Sequence, residues 1–154
     1  MRLTVPIQLR WGDQDAYGHV NNVSMLKLLE EARVRAFWVG DRSSAPDTAV
    51  LGAGPGNDSL TLIARQEIEY LLPMPYSNEP IRIELWLTKL GGSSIDVGYE
   101  IRSPDGAADD RVYARASTVI VFIDAATQRP RRLRDEERAA WEPYVGDPVE
   151  FRRG

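Results

Sequence analysis

From Asn22 to Val39 the chain runs without glycine or proline, and Met25, Leu26, Leu28, Leu29, Glu30, Glu31, Ala32, Arg33 and Ala36 are all good helix formers. The spacing predicts a helix over 22–39 that Gly40 stops. Projected at about 100° per residue, Met25, Leu28, Leu29, Ala32, Ala36 and Val39 share one face, while Leu26, Val34, Phe37 and Trp38 spread around the rest. An unusually large part of this helix must therefore be buried, and the rest of the chain has to enclose it. Glu31 stands one turn before Arg35, so that pair can stay solvated and still support the helix.

What encloses it is legible as strands. Ahead of the helix, Val5, Ile7, Leu9 and Trp11 alternate with Thr4, Gln8 and Arg10, the period of a half-buried strand. Pro6 places that strand toward a sheet edge, where one N–H can be spared. After the helix, residues 61 to 72 set Leu62, Ala64, Ile68, Tyr70 and Leu72 against Thr61, Arg65, Glu67 and Glu69. Residues 81 to 89 alternate Ile81, Ile83, Leu85 and Leu87 with polar neighbours, and Gly91-Gly92-Ser93-Ser94 reads as a hairpin turn into Ile95, Val97, Tyr99 and Ile101. Ser103-Pro104-Asp105-Gly106 is a second turn. The last run, 111 to 123, becomes continuously apolar at Val119-Ile120-Val121-Phe122-Ile123, as a central strand does. Asp135 can cap a short helix through Trp141, ended by Pro143. One α+β arrangement satisfies this order with one core: a curved antiparallel five-stranded sheet wrapped around one long central helix, with a short C-terminal helix. A chain of 154 residues, 43% of them hydrophobic, fits a single domain over 1–154.

Residues 41 to 60 are rich in Gly, Pro, Ser and Asp. A connection of that length in a small domain is either a lid or binding segment or a disordered excursion. Composition narrows the function classes. A net charge of −4 argues against a nucleic-acid binder held by phosphate contacts. With no cysteine and one histidine there is neither a disulfide framework nor a zinc or iron centre, so the expected metal set is none. The start, Met1-Arg2-Leu3-Thr4-Val5-Pro6, lacks a signal peptide's apolar core, and no run approaches a membrane span, so the expectation is a cytoplasmic protein without membrane or nucleic-acid partners.

The chemistry is concentrated just before the helix. Trp11-Gly12-Asp13-Gln14-Asp15-Ala16-Tyr17-Gly18-His19-Val20-Asn21-Asn22 holds the one histidine, two carboxylates and two glycines. A strand delivers a carboxylate into a turn, and the turn feeds a helix whose first N–H groups have no acceptors of their own. Such a helix end can polarise a carbonyl oxygen while a carboxylate attacks it or activates water. Bland readings also exist. Asn21 and Asn22 are favoured N-cap types, Asp13 and Asp15 suit a turn, and His19 can simply pack or cap. A calcium loop fails, because Tyr17 and Ser24 would occupy its fifth and twelfth positions and no helix precedes it.

Arg10 through Asn22, followed by Leu29-Glu30-Glu31-Ala32-Arg33, resembles the hotdog-fold acyl-CoA thioesterases of the 4-hydroxybenzoyl-CoA thioesterase-like superfamily, most clearly over residues 5 to 38. The resemblance implies that Asp15 is the catalytic carboxylate and that the Asn22 backbone N–H, at the start of the central helix, is the oxyanion contact. It implies a positioning role for His19 and places Tyr17, Gly18, Met25 and Leu29 on the substrate path. It further implies an acyl-CoA substrate, fatty or aromatic, no cofactor beyond the coenzyme A within that substrate, and a homodimer or homotetramer with each active site at a protomer interface. The Asn-Pro element of the hydratases that share this fold, and their Asp-to-His spacing of five, are absent, since Asp15 and His19 stand four apart. A related thioesterase branch uses a glutamate on the central helix, for which Glu30 and Glu31 are the candidates. The rival of another class is a non-catalytic acyl-CoA sensor or scaffold, against which the retained Asp15 argues.

Overall fold

The computed structural model describes residues 1–40, 45–52 and 56–152. Strands β1 (Leu3–Ile7), β2 (Ser59–Tyr70), β3 (Ile81–Leu90), β4 (Ser94–Arg102) and β5 (Val112–Asp124) form one antiparallel sheet in the order β1-β3-β4-β5-β2. The helices are α1 (Asn22–Phe37) and α2 (Asp135–Trp141). Pro6 lies on β1, an edge strand, as its missing N–H requires, and β5 is an interior strand.

The alternation of β3, β4 and β5 sends Ile83, Leu85, Val97, Tyr99, Ala116, Ile120 and Phe122 to one face, and all are buried. α1 lies on that face with Met25, Leu28, Leu29, Ala32 and Ala36 turned into the same core cluster. Leu29 and Ala32 have no exposed surface. Burying one such leucine contributes roughly 1.5–3 kcal/mol. The Gly91–Ser94 turn closes with a Gly91 N–H to Ser94 O bond of 2.8 Å, and Gly106 takes φ 77° in the second predicted turn.

Four differences from the sequence expectations have local causes. First, Trp11 is not in the first strand. β1 ends at Ile7 and Trp11–Asp13 make a 3-10 turn, because the Asp13 carboxylate folds back onto Arg10, accepting from its backbone N–H at 2.8 Å and its Nη2 at 2.9 Å. Second, α1 has 16 residues and stops at Phe37, not at Gly40. Trp38 turns extended to bridge Leu51, with Leu51 N–H to Phe37 O at 2.9 Å and Val39 N–H to Leu51 O at 2.7 Å, which leaves Val39 exposed. Third, of the apolar residues spread around the rest of α1, Phe37 is buried but Val34 faces solvent, as does Val23. Fourth, residues 45–52 of the long connection are clamped at the C-terminal end of α1: buried Thr48 donates to Ala36 O at 2.6 Å and its carbonyl accepts from Trp141 Nε1 at 2.9 Å. Residues 41–44 and 53–55 of that connection lie outside the described residues.

The chain that follows α2 crosses the sheet face opposite α1. Gly146 N–H donates to Leu87 O at 2.8 Å, and Trp86 Nε1 donates to Asp147 O at 2.8 Å. Gly98 makes room for this layer, because a Cβ there would stand 2.9 Å from both the Trp86 ring and Val149.

Candidate active site

The turn that carries Asp15 is built by its own backbone. Asp15 N–H donates to His19 O at 2.7 Å, and Gly18 N–H to Asp15 O at 3.2 Å, with Gly18 at φ 77°. A left-handed φ of that size suits glycine. The Asp15 Oδ1 accepts from the Tyr17 N–H at 2.8 Å and the His19 N–H at 3.2 Å. Among the described residues the second carboxylate oxygen accepts no hydrogen bond and remains available. Val20 N–H to Met74 O at 2.8 Å and Tyr76 N–H to Gly18 O at 3.1 Å then tie the turn to the segment beyond β2.

Asn21 is the N-cap of α1, its side-chain oxygen accepting from Val23 N–H at 2.8 Å. Asn22 is the first helical residue, and among the described residues its N–H meets no acceptor. Asp15, His19, Asn21, Asn22 and Met25 line one cavity of about 430 Å³ together with Val20 and the run Tyr70 to Met74. An anion formed near Asn22 would therefore meet the positive end of the α1 dipole and an unpaired donor.

The other residues expected on the substrate path fall elsewhere. Tyr17 is 85% exposed and Gly18 is exposed, and neither lines the cavity. Leu29 is a core residue whose side chain packs under the helix and reaches no surface. Glu30 pairs with Lys27 at 3.6 Å and with the buried Arg33 at 3.8 Å, and Glu31 pairs with Arg35 at 3.0 Å. Both glutamates face a separate cleft with Gln8 and Arg10. Asp13 is buried and spent on Arg10, so the two carboxylates of the Asp-x-Asp pair are separated by their surroundings.

Sequence reading missed the far wall. Tyr70, at the end of β2, donates its hydroxyl to Asn22 O at 3.1 Å, and burial raises its pKa above the ordinary phenol value. Leu71 to Met74 follow it along the cavity. Proline on both sides of Met74 was the available signal for a fixed, extended segment there.

Residues 9–142 match the model of the thioesterase-like superfamily. The chain belongs to that superfamily. Its fold is the hotdog fold: the PA5185 protein from Pseudomonas aeruginosa strain PAO1 superposes with TM-score 0.73 at 23% identity over 93% of this chain and 91% of the other. The PA2801 protein of the same species gives TM-score 0.70 at 28% identity over 89% and 95%. A thioesterase from Thermus thermophilus, solved with coenzyme A and zinc, gives 0.65 at 23% identity over 95% and 96%. The uncharacterized protein YsmA of Bacillus subtilis (strain 168) is 29% identical over 94 residues, which is 60% of this chain and 56% of that protein. Among the described residues no helix is long and apolar enough to cross a membrane.

Proposed function

We propose that this protein hydrolyses an acyl-CoA thioester to the free acid and coenzyme A. The observation that carries the reading is that, among the described residues, a carboxylate with one oxygen uncommitted, on Asp15, and a helix-opening N–H without an acceptor, on Asn22, border the same cavity. A thioester carbonyl is activated already, so one carboxylate and one oxyanion donor suffice without a serine–histidine relay. With the carbonyl oxygen at the Asn22 N–H, two routes are open to Asp15. In the first, a carboxylate oxygen bonds to the carbonyl carbon, the C–S bond breaks with the electron pair leaving on the CoA sulfur, and water then opens the mixed anhydride. In the second, Asp15 takes a proton from a water whose oxygen attacks the same carbon, and the proton passes to the departing thiolate. No cofactor enters either route. Met25, Leu72, Val20 and Met74 give the acyl group, fatty or aromatic, an apolar wall, and His19 positions Asp15 through its backbone N–H. The protein is read as a homodimer or homotetramer, the assembly that the resemblance implies.

The test is hydrolysis of a panel of acyl-CoAs followed by thiol release. Asp15→Asn should fold normally, keep acyl-CoA binding and lose about 100-fold or more of kcat. Saturable binding by the wild-type protein without any thiol release would favour the sensor reading and sink this one.

A further inference from the structure

Under α1 lies a polar cluster that the hydrolysis does not use. Arg33 Nη1, Tyr99 Oη and Thr118 Oγ1 are all buried, and among the described residues none of them completes a hydrogen bond. Resting on the acyl-CoA reading above, we propose that these three groups bind a carboxylate at the far end of the acyl chain, so that the preferred substrate is an ω-carboxyacyl-CoA, the monothioester of a dicarboxylic acid, and not a plain fatty acyl-CoA.

The cluster is assembled by α1, β4 and β5. Tyr99 pairs with Ala116 and Val97 with Thr118, so the phenol and the Thr118 hydroxyl are diagonal neighbours on the sheet face that α1 covers. Arg33 comes down onto them from α1. Its charge and the Thr118 hydroxyl both act on the Tyr99 phenol, against the burial that raises its pKa. Burial is the larger influence, so the phenol keeps its proton and can donate. The ion pair that Arg33 makes among the described residues is to the exposed Glu30, at 3.8 Å and beyond hydrogen-bond reach.

A buried guanidinium so poorly compensated is costly, and unmatched buried polar groups of this kind mark a missing partner. A carboxylate supplies it. Its two oxygens accept from Arg33, Tyr99 and Thr118, and its charge cancels that of the guanidinium. A methyl terminus does neither.

Two elements give the distance from the reacting carbonyl. Asn22, Leu26, Leu29 and Arg33 follow one another at spacings of four, three and four, which is one stripe of the helix. The approach to Glu30 sets the Arg33 guanidinium one turn back toward the start of α1. That level is eight residues from Asn22, or about 12 Å. On the sheet, β2 and β5 pair Tyr70, which lines the Asp15 cavity, with Ala114, and Gln66 with Thr118. From Ala114 to Thr118 is four strand residues, or about 13 Å. The two measures agree. At about 1.3 Å per methylene, which follows from a C–C bond of about 1.5 Å, the span takes roughly eight to ten carbons. The route is the slot between α1 and β2, where Leu26 and Ile68 are half-buried and where Gln66 and Tyr70, on the α1 face of β2, are exposed. Arg33 has the rotamer freedom to turn its guanidinium to an arriving carboxylate.

The experiment measures kcat/KM for ω-carboxyacyl-CoAs of about six to twelve carbons against unsubstituted acyl-CoAs of equal length. The carboxylated series should be preferred about tenfold or more, the worth of a hydrogen bond to a charged group. Arg33→Met, of similar size, should bring that ratio down about tenfold, with no fall in the urea midpoint, since an apolar replacement of a buried charge is often neutral or stabilising. No preference in the wild-type protein, or one that Arg33→Met leaves unchanged, overturns the assignment and leaves the cluster to bound water. Where Arg33→Met does not fold, the isosteric pair Tyr99→Phe with Thr118→Val decides: a ratio lowered several-fold supports the site and an unchanged one overturns it. Calorimetric titration of Asp15→Asn protein with the same thioesters separates this from the hydrolysis reading. If the wild-type protein turns nothing over but the carboxylated thioester binds more tightly, and Arg33→Met removes the difference, the hydrolysis reading fails and the carboxylate site stands. If both series bind equally, the carboxylate site falls whatever the turnover.

Discussion

Two aspartates one residue apart do opposite work. Asp13 is buried, and both of its oxygens are bonded to Arg10, one to the backbone N–H and one to the guanidinium. Asp15 is half exposed and keeps an oxygen for a ligand. Substitution should separate them. Asp13→Ala leaves the Arg10 N–H without its acceptor, so it should cost about 1–3 kcal/mol in urea unfolding. Asp15→Asn should leave the unfolding midpoint near wild type while thiol release collapses. A loss of stability for Asp15→Asn as large as that for Asp13→Ala would contradict this division. This much of the site was legible in the sequence because Asp15, His19, Asn22 and Met25 are fixed by local turn and helix geometry. Tyr70 was not, because it reaches Asn22 only through the pairing of β2 with β5, a contact 48 positions away in the chain.

The elements were read well where period alone decides them and poorly where tertiary contact does. Alternation located β3 and β4 to within a residue, whereas the bulges between Ile63 and Arg65 and between Leu87 and Lys89 leave no mark in the pattern. The end of α1 was misplaced because its last two predicted residues pair with Leu51 instead of continuing the helix. At α2 the governing residue is Glu137, buried at the first turn. Burial by itself would raise its pKa, but hydrogen bonds from Arg131 and from the Arg134 N–H outweigh that and hold it below the ordinary carboxylate value. A depressed folded-state pKa gives stability that is present above the unfolded value of about 4.3 and is lost as pH falls through the folded one. Urea midpoints measured from pH 6 downward should therefore drop on the acid side, and Glu137→Gln should lower the neutral-pH midpoint and flatten that limb. An acid limb of unchanged slope in the variant would remove Glu137 from the account.

At the scale of the molecule, the apolar surface of α1 and β2 is larger than one copy covers. Val23, Val34, Leu62 and Ile63 are all exposed, Leu62 at 58%. The helix for which the sequence required an unusually large buried part keeps Val23 and Val34 open on one flank. Leu62→Glu places a charge on the open edge without touching the protomer core. It should shift the protein to monomer in light scattering at micromolar concentration and abolish turnover while far-UV circular dichroism stays native. A Leu62→Glu protein with wild-type mass would show that this edge is not where copies meet.

The four tryptophans occupy very different surroundings: Trp141 is wholly enclosed, Trp86 is 4% exposed beneath the C-terminal layer, Trp38 is half-buried at the end of α1, and Trp11 stands 77% exposed near Tyr76 beside the Asp15 turn. Intrinsic fluorescence consequently splits into a blue, quencher-resistant component from the interior and a red component that iodide reaches at once, so changes around Trp11 and Tyr76 and loosening of the interior can be followed separately in one unlabelled sample.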